Sequence, residues 1–405
     1  MSKIRTATYQ LGVLLCLTTG LMLSACSDDS ASDSRVSDRQ IRLTAGARQF
    51  YVDEEEAASP ALTRTVTYPN SADWKNYLSL YPNDNPNMLA FIAKSKDNPS
   101  SSDVLSRLFS FSNASDWQAN VTITDATSAY NIFGFMPIDV ENSSDNVSIS
   151  RLANENNYDA GAQMTIRGLK VLTMSDPCVI VGVAKQEEKT SDVTLKWGKF
   201  DFTFKQNNGD VTDYMSILLD HIYSRYHFSI KIDADYAQLR TIRVTKMTLE
   251  ALNDDGTKTL RSVDATVSIR ANTTNTNPVT SLTFSRNLGE RSVTLFNKTT
   301  TTNASYNNGI VLSKDKTDFQ EAGFCLAPSD QRWFRLTTEY EVLDRTGKLI
   351  RTNTAVNRFN TANFKERMIT STTPGLEHTI QILVNPTYLY VLTDSDLDNP
   401  PIEIN

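Results

Sequence analysis

Few side chains in this 405-residue sequence could act as nucleophiles or metal ligands: there are 4 cysteines and 3 histidines. His221, His227 and His378 show no i, i+4 spacing of the kind that aims two imidazoles at one ion from a helix, so no metal site is expected from them. No Gly-x-Ser-x-Gly turn lifts a serine for attack, and no glycine-rich loop is available to cradle phosphate in a chain with only 15 glycines. Carboxylates are plentiful, but none stands in an apolar run that would raise its pKa for acid catalysis. The alternating acids of Asp394-Ser395-Asp396-Leu397-Asp398-Asn399 resemble a calcium loop. Asn399 holds the glycine position and Asn405 the closing glutamate position, so a solvated turn is the simpler reading. No catalytic residue and no cofactor is expected. The net charge of -7, with no basic block, leaves nucleic acid without an electrostatic footprint.

One thiol has a clear chemical context. Lys3 and Arg5 precede a mostly apolar run, Leu11 to Leu23, of signal-peptide length and too short to span a bilayer. The run ends in Leu23-Ser24-Ala25-Cys26, which resembles the bacterial lipobox. There the cysteine thiol is lipidated, the preceding bond is cut and the new amino terminus is acylated. Residues 1–25 then form a lipoprotein signal peptide, and Cys26 is the lipidated residue. Residues 26–40 include Ser27-Asp28-Asp29-Ser30-Ala31-Ser32-Asp33-Ser34, too polar to bury surface, and are expected to be a flexible tether. An acidic run in this place resembles a surface-export signal of Bacteroidales lipoproteins. It implies a location on the outer face of the cell outer membrane. Cys16, mid-run, reads as a small hydrophobe. Cys178 and Cys325 both lie in apolar runs and read as separate buried thiols more readily than as a bridge.

The remaining chain reads as strands. Ile41-Arg42-Leu43-Thr44-Ala45-Gly46-Ala47 alternates with the period of a half-buried strand. Strand patterns recur at 88–93, 119–124, 130–136, 164–172 and 178–184, separated by Asn, Ser, Asp and Pro clusters. A domain covering 41–190 is expected to end near Lys185-Gln186-Glu187-Glu188-Lys189, and a second to cover 191–405. In the second, Trp197, Phe200, Phe202 and Phe204 place aromatics in a strand, and 212–223 reads as a helix. His227 to Ile232 alternates, 234–240 suits one helical turn, and 241–252 is a strand closed by the turn Asn253-Asp254-Asp255-Gly256. Residues 335–343 and 349–356 flank Asp344-Arg345-Thr346-Gly347-Lys348 as a hairpin. Thr379 to Val384, Pro386 and Tyr388 to Leu392 read as a kinked or edge strand, because proline donates no ladder hydrogen bond.

These residues together resemble the fimbrillin family, lipoprotein precursors of type V pili in Bacteroidales. The resemblance is carried by the lipobox, the acidic tether, the Ile-x-Leu-Thr-Ala strand, Thr63-Arg64-Thr65, the stretch 216–232 followed by Tyr236-Ala237-Gln238-Leu239-Arg240-Thr241-Ile242, and the ending Pro386-Thr387-Tyr388-Leu389-Tyr390-Val391-Leu392. It implies an all-β fold of two transthyretin-like antiparallel β-sandwich domains in series. It also implies a structural or adhesive pilus subunit, with other subunits, the outer membrane through the N-terminal lipid, and a host or bacterial surface ligand as partners. An arginine-specific protease is implied to cut after Arg64, or alternatively Arg48, removing a first strand whose plugs are Ile41, Leu43 and Ala45. A donor strand from another subunit then fills the groove, with Ile380, Ile382, Val384, Tyr388, Tyr390 and Leu392 as its candidate residues. Simple membership of the last core strand is the competing reading of the same segment. The alternative function is a surface lipoprotein that binds polysaccharide for nutrient uptake, with Trp74, Trp117, Trp197 or Trp333 as sugar platforms.

Overall fold

The computed structural model describes residues 37–52, 74–76, 86–112, 116–139, 143–186, 196–205, 211–274, 276–315, 317–318, 324–363 and 374–384. Among them the chain is nearly all strand, as expected; the one α-helical turn is Ala234–Ala237, inside the 234–240 segment expected to carry one, capped by the Asp233 carboxylate. The first sheet runs in the order Cys178–Gln186, Val211–His221, Ser37–Arg48, Trp117–Ile123, Val104–Phe111, Asn87–Lys94, Ala129–Ile138 and Asp201–Thr203. Cys178 and Val179 also pair with Met136 and Phe135, so the sheet closes on itself. Three smaller sheets follow. Thr317–Asp318, Tyr223–Ile232, Leu376–Val384 and Tyr51–Val52 make one, with Phe324–Pro328 also paired to Tyr223–Ile232. Val293–Asn297, Thr241–Ala251, Trp333–Leu343 and Leu349–Asn360 make the next, and Val279–Leu288, Leu260–Arg270, Gly161–Lys170 and Val147–Arg151 the last.

Two apolar cores lie on opposite faces of the first sheet. Met88, Ala90 and Ile92 enter the core enclosed by that sheet, while Leu89, Phe91 and Ala93 enter the core shared with the other three. A strand buried on both faces needs no polar alternation, which is why Asn87–Lys94 and Cys178–Gln186 are continuous apolar runs. The aromatic run is divided in the same way: Phe202 and Phe204 go to the first core, Trp197 and Phe200 to the second.

One sequence expectation is corrected. Residues 212–223 are not helical but form most of Val211–His221, a strand in which Met215 to His221 are all buried. A short apolar run such as Met215-Ser216-Ile217-Leu218-Leu219 has no periodicity to separate buried strand from buried helix, and pairing with neighbours on both sides decides it. Strand pairing also runs across residue 190. Val211–His221 lies beside Ser37–Arg48, and Gly161–Lys170 pairs with Leu260–Arg270. The charged stretch that suggested a boundary is followed by a return into the first sheet.

After a single bend at Ile222, Val211–His221 continues as Tyr223–Ile232, so residues 211–232 form a spine that passes from the first sheet to the second. Ser37–Arg48 pairs in parallel with the first half of this spine. Leu376–Val384 pairs in parallel with the second half. The hairpin expected around Asp344 to Lys348 forms between Trp333–Leu343 and Leu349–Asn360, with Gly347 at φ +84°, a value that favours glycine.

The loops of the first sheet carry carboxylates tied to their own turns. Asp103 accepts from the Ser100 hydroxyl and backbone N–H and pairs with Lys96 at 2.9 Å, which lowers its pKa from 3.8 to about 2. Because the folded value lies below the unfolded one, Asp103 contributes stability above pH 3.8 and loses it as pH falls towards about 2. The stability difference between Asp103→Asn and the parent, followed by urea unfolding, is therefore expected to be constant above about pH 5 and to shrink steadily as pH falls to about 2. A difference that persists unchanged at pH 2 would refute the assignment.

Candidate functional site: the first strand in its slot

Ser37–Arg48 is held between two strands to which no hairpin joins it. Trp117–Ile123 pairs antiparallel with Ser37 to Leu43, and Val211–His221 pairs in parallel with Arg39 to Ala47. Trp74–Asn76 pairs with Gly46 to Arg48, beyond the reach of Trp117–Ile123. Because successive side chains of a strand point to opposite faces, Ile41, Leu43, Ala45 and Ala47 all enter the first core, where Ile41, Leu43 and Ala47 are 0% exposed. Gln40, Arg42, Thr44 and Gly46 lie on the half-exposed face. There the Thr44 and Ser216 hydroxyls lie 2.8 Å apart, and Arg42 pairs with Asp116 at 3.0 Å.

Both ends of the strand are tied to the spine by buried ion pairs. Arg39 Nη1 donates to Asp213 Oδ2 at 2.7 Å, its guanidinium also lies over the Phe204 ring, and Asp213 further accepts from the Lys205 backbone N–H. Nine residues on, Arg48 Nε donates to Asp220 Oδ1 at 2.7 Å, and its Nη2 donates to the Pro374 carbonyl at 3.0 Å. A guanidinium and a carboxylate removed from water cost several kcal/mol each unless they meet in good geometry. The pairs therefore specify the strand's position at both ends. They also resist its withdrawal.

Around Arg48 the polar groups form a knot. The His221 backbone N–H donates to Asp220 Oδ1, and His221 Nε2 donates to the Arg48 carbonyl at 2.6 Å. His221 Nδ1 faces Asp176 Oδ2 at 2.7 Å and Cys178 Sγ at 3.7 Å, and the ring stacks on Phe50 with centroids 4.0 Å apart. Burial, and secondarily the Asp176 carboxylate, push the Cys178 thiol well above its ordinary pKa. Gly375, at φ +76°, leaves room beside the knot; a Cβ there would lie 2.5 Å from Arg48 Nη2 and 2.9 Å from His221 Cδ2.

The predicted site residues are distributed as follows. Ile41, Leu43 and Ala45 stand in the slot. Arg48 is 1% exposed and ion-paired. Ile380 is buried in the second core, with Ile382 and Val384 packed against it, on the strand that pairs with Tyr223–Ile232. Cys26, Arg64, Tyr388, Tyr390 and Leu392 lie outside the described residues, as does the 394–399 cluster. Cys178 and Cys325 are buried free thiols. Of the tryptophans weighed as sugar platforms, Trp117 and Trp197 are core residues and Trp333 is half-buried, while the side chain of Trp74 is not described. Sequence reasoning missed Asp213, Asp220 and the Asp176–Cys178–His221 group. An acid within an otherwise apolar strand, as at Asp220 after Ile217-Leu218-Leu219, was the available signal.

Fold and slot define an all-β protein whose N-terminal strand fills a gap between non-sequential neighbours. No family model matches the sequence, and no curated protein matches it. Among solved structures the chain is similar to the fimbrial anchor protein Mfa2 from Porphyromonas gingivalis (11% identity over 86% of this chain and 91% of that one, TM-score 0.25). It is likewise similar to proposed cell adhesion proteins from Bacteroides fragilis (10% identity, 86% and 94%, TM-score 0.34) and Bacteroides eggerthii (9% identity, 86% and 86%, TM-score 0.31). All three are named for fimbriae or adhesion.

Proposed function

We propose that this chain is a structural or adhesive subunit of a cell-surface pilus, exported as a lipoprotein through Cys26 and assembled by strand exchange. The observation that carries this reading is the first strand itself: an alternating plug whose apolar side chains fill a slot and whose removal breaks no hairpin. Withdrawal leaves two rows of unpaired backbone groups above bare apolar pockets. An alternating strand from another subunit satisfies both. The subunit is non-enzymatic, and its partners are further pilus subunits, the outer membrane through the lipid, and a surface ligand. Because Ile380, Ile382 and Val384 pack in their own second core, Tyr388, Tyr390 and Leu392 are the preferred donated residues.

The test is limited digestion of the purified precursor with an arginine-specific protease. Cleavage is expected after Arg64 and not after Arg48, whose guanidinium is engaged by Asp220, and the trimmed protein is expected to form SDS-resistant ladders on denaturing gels. A precursor that is not trimmed near Arg64, or is trimmed and stays monomeric, overturns assembly by this route.

A further inference from the structure

We propose that Asp176, Cys178 and His221 form a binding site for a zinc-class divalent cation beneath the end of the first strand. The three side chains are fully buried, and one ligand atom from each lies within 4.8 Å of the other two. Their types suit an ion of intermediate softness: a thiolate, an imidazole and a carboxylate make a donor set that zinc accepts, and that calcium or magnesium, which prefer oxygen throughout, do not.

The geometry is close to that of a bound state. Zinc bonds of about 2.3 Å to sulfur and about 2.0–2.2 Å to nitrogen and oxygen put tetrahedral ligands roughly 3.3–3.6 Å apart. The Cys178 Sγ to His221 Nδ1 distance of 3.7 Å needs almost no change. The 2.7 Å between His221 Nδ1 and Asp176 Oδ2, a hydrogen bond when no ion is present, opens by roughly 0.6–0.9 Å. The second oxygen of Asp176 can add a further bond by chelation. His221 is oriented as metal-bound histidines are: the remote nitrogen, Nε2, donates to a backbone carbonyl, that of Arg48, which leaves Nδ1 for the ion. Stacking on Phe50 and the close approach of Gly375 hold the ring plane in place.

Charge also balances. Arg48 already offsets Asp220, so the donors that meet the ion are the thiolate, the imidazole and the Asp176 carboxylate. Binding a divalent cation displaces the thiol proton and the proton of the His221–Asp176 hydrogen bond, forms the metal–sulfur, metal–nitrogen and metal–oxygen bonds, and sets the ion's two positive charges against the sulfur and the carboxylate. The exchange therefore adds no uncompensated charge to the core, the condition that ordinarily forbids an ion there.

The test uses the full mature chain, refolded with zinc or cobalt(II) and then freed of loosely held metal by a chelator. About one ion per chain is expected to remain, and the cobalt form is expected to show a sulfur-to-cobalt charge-transfer band with visible d–d bands. Cys178→Ser removes the charge-transfer band, whereas Cys325→Ser leaves it. Asp176→Asn, which keeps the thiol and approximates the shape, is expected to weaken retention at least tenfold, and it stands in if Cys178→Ser fails to fold. Failure of the folded parent to retain metal, survival of the band in Cys178→Ser, or full retention by Asp176→Asn would each overturn the site.

Discussion

Replacing Asp220 by alanine is expected to lower the stability of the protein by about 3–5 kcal/mol, because it leaves the Arg48 guanidinium buried without its carboxylate. Arg48 is 1% exposed and donates to Asp220 at 2.7 Å, and the same carboxylate oxygen accepts the His221 backbone N–H. The loss comes mainly from the stranded charge and much less from the pair's own attraction. It should therefore be largely recovered in the double variant Arg48→Met, Asp220→Leu, which removes both charges and keeps volume. Urea unfolding of the parent, the single and the double variants measures both numbers. A single variant that costs less than about 1 kcal/mol, the range of exposed pairs, would show that water reaches the pair and that it does not hold the strand. The consequence for assembly follows the same sign. With the far end of the first strand unlatched, Asp220→Ala is expected to give up that strand to digestion faster than the parent.

Leu43→Ala and Ile41→Ala are each expected to cost about 2–5 kcal/mol, through lost transfer free energy and the cavity left behind. Both side chains are 0% exposed in the first core, among Met88, Phe109, Trp117 and Met215. Thr44, one residue away on the other face, is the internal control. Thr44→Ala removes only the hydroxyl's hydrogen bonds to Ser216 and the Met215 carbonyl and should cost about 0.5–1.5 kcal/mol. The contrast between positions 43 and 44 distinguishes a strand seated in its slot from one loosely associated, since a loosely held strand gives small losses at both. Equal, small effects at the two positions would remove the basis for the plug. If the large contrast is found, it measures what the inward-facing side chains contribute to seating the strand. A donor strand that replaces the plug must match it.

Much of this architecture is legible along the chain. The alternation of Ile41, Leu43, Ala45 and Ala47 against Arg42, Thr44 and Gly46 announces a strand with one buried face, and the buried face is the one found. Turn residues at Asp344 to Lys348 announce a hairpin that forms in register. What these features share is that neighbouring residues carry the whole signal.

Other features depend on partners distant in sequence. Met215-Ser216-Ile217-Leu218-Leu219 is equally suited to a buried helix or a buried strand, and only docking between Ser37–Arg48 and Cys178–Gln186 makes it a strand. The same holds for Leu376–Val384, a donor or a core strand by pattern, which lies on Tyr223–Ile232. Histidine spacing tests only for ligands on one helix; it is blind to Asp176, just before one strand, and to Cys178 and His221, the paired ends of two strands. The sequence by itself determined which residues prefer extended backbone and which face of the first strand turns inward. Only the tertiary structure decided which strands are neighbours, that Arg39 and Arg48 meet Asp213 and Asp220, and that the two parallel strands share one spine. Strand pairing and buried charge pairing are satisfied by whichever partner the whole chain brings within reach, and local sequence does not record that choice.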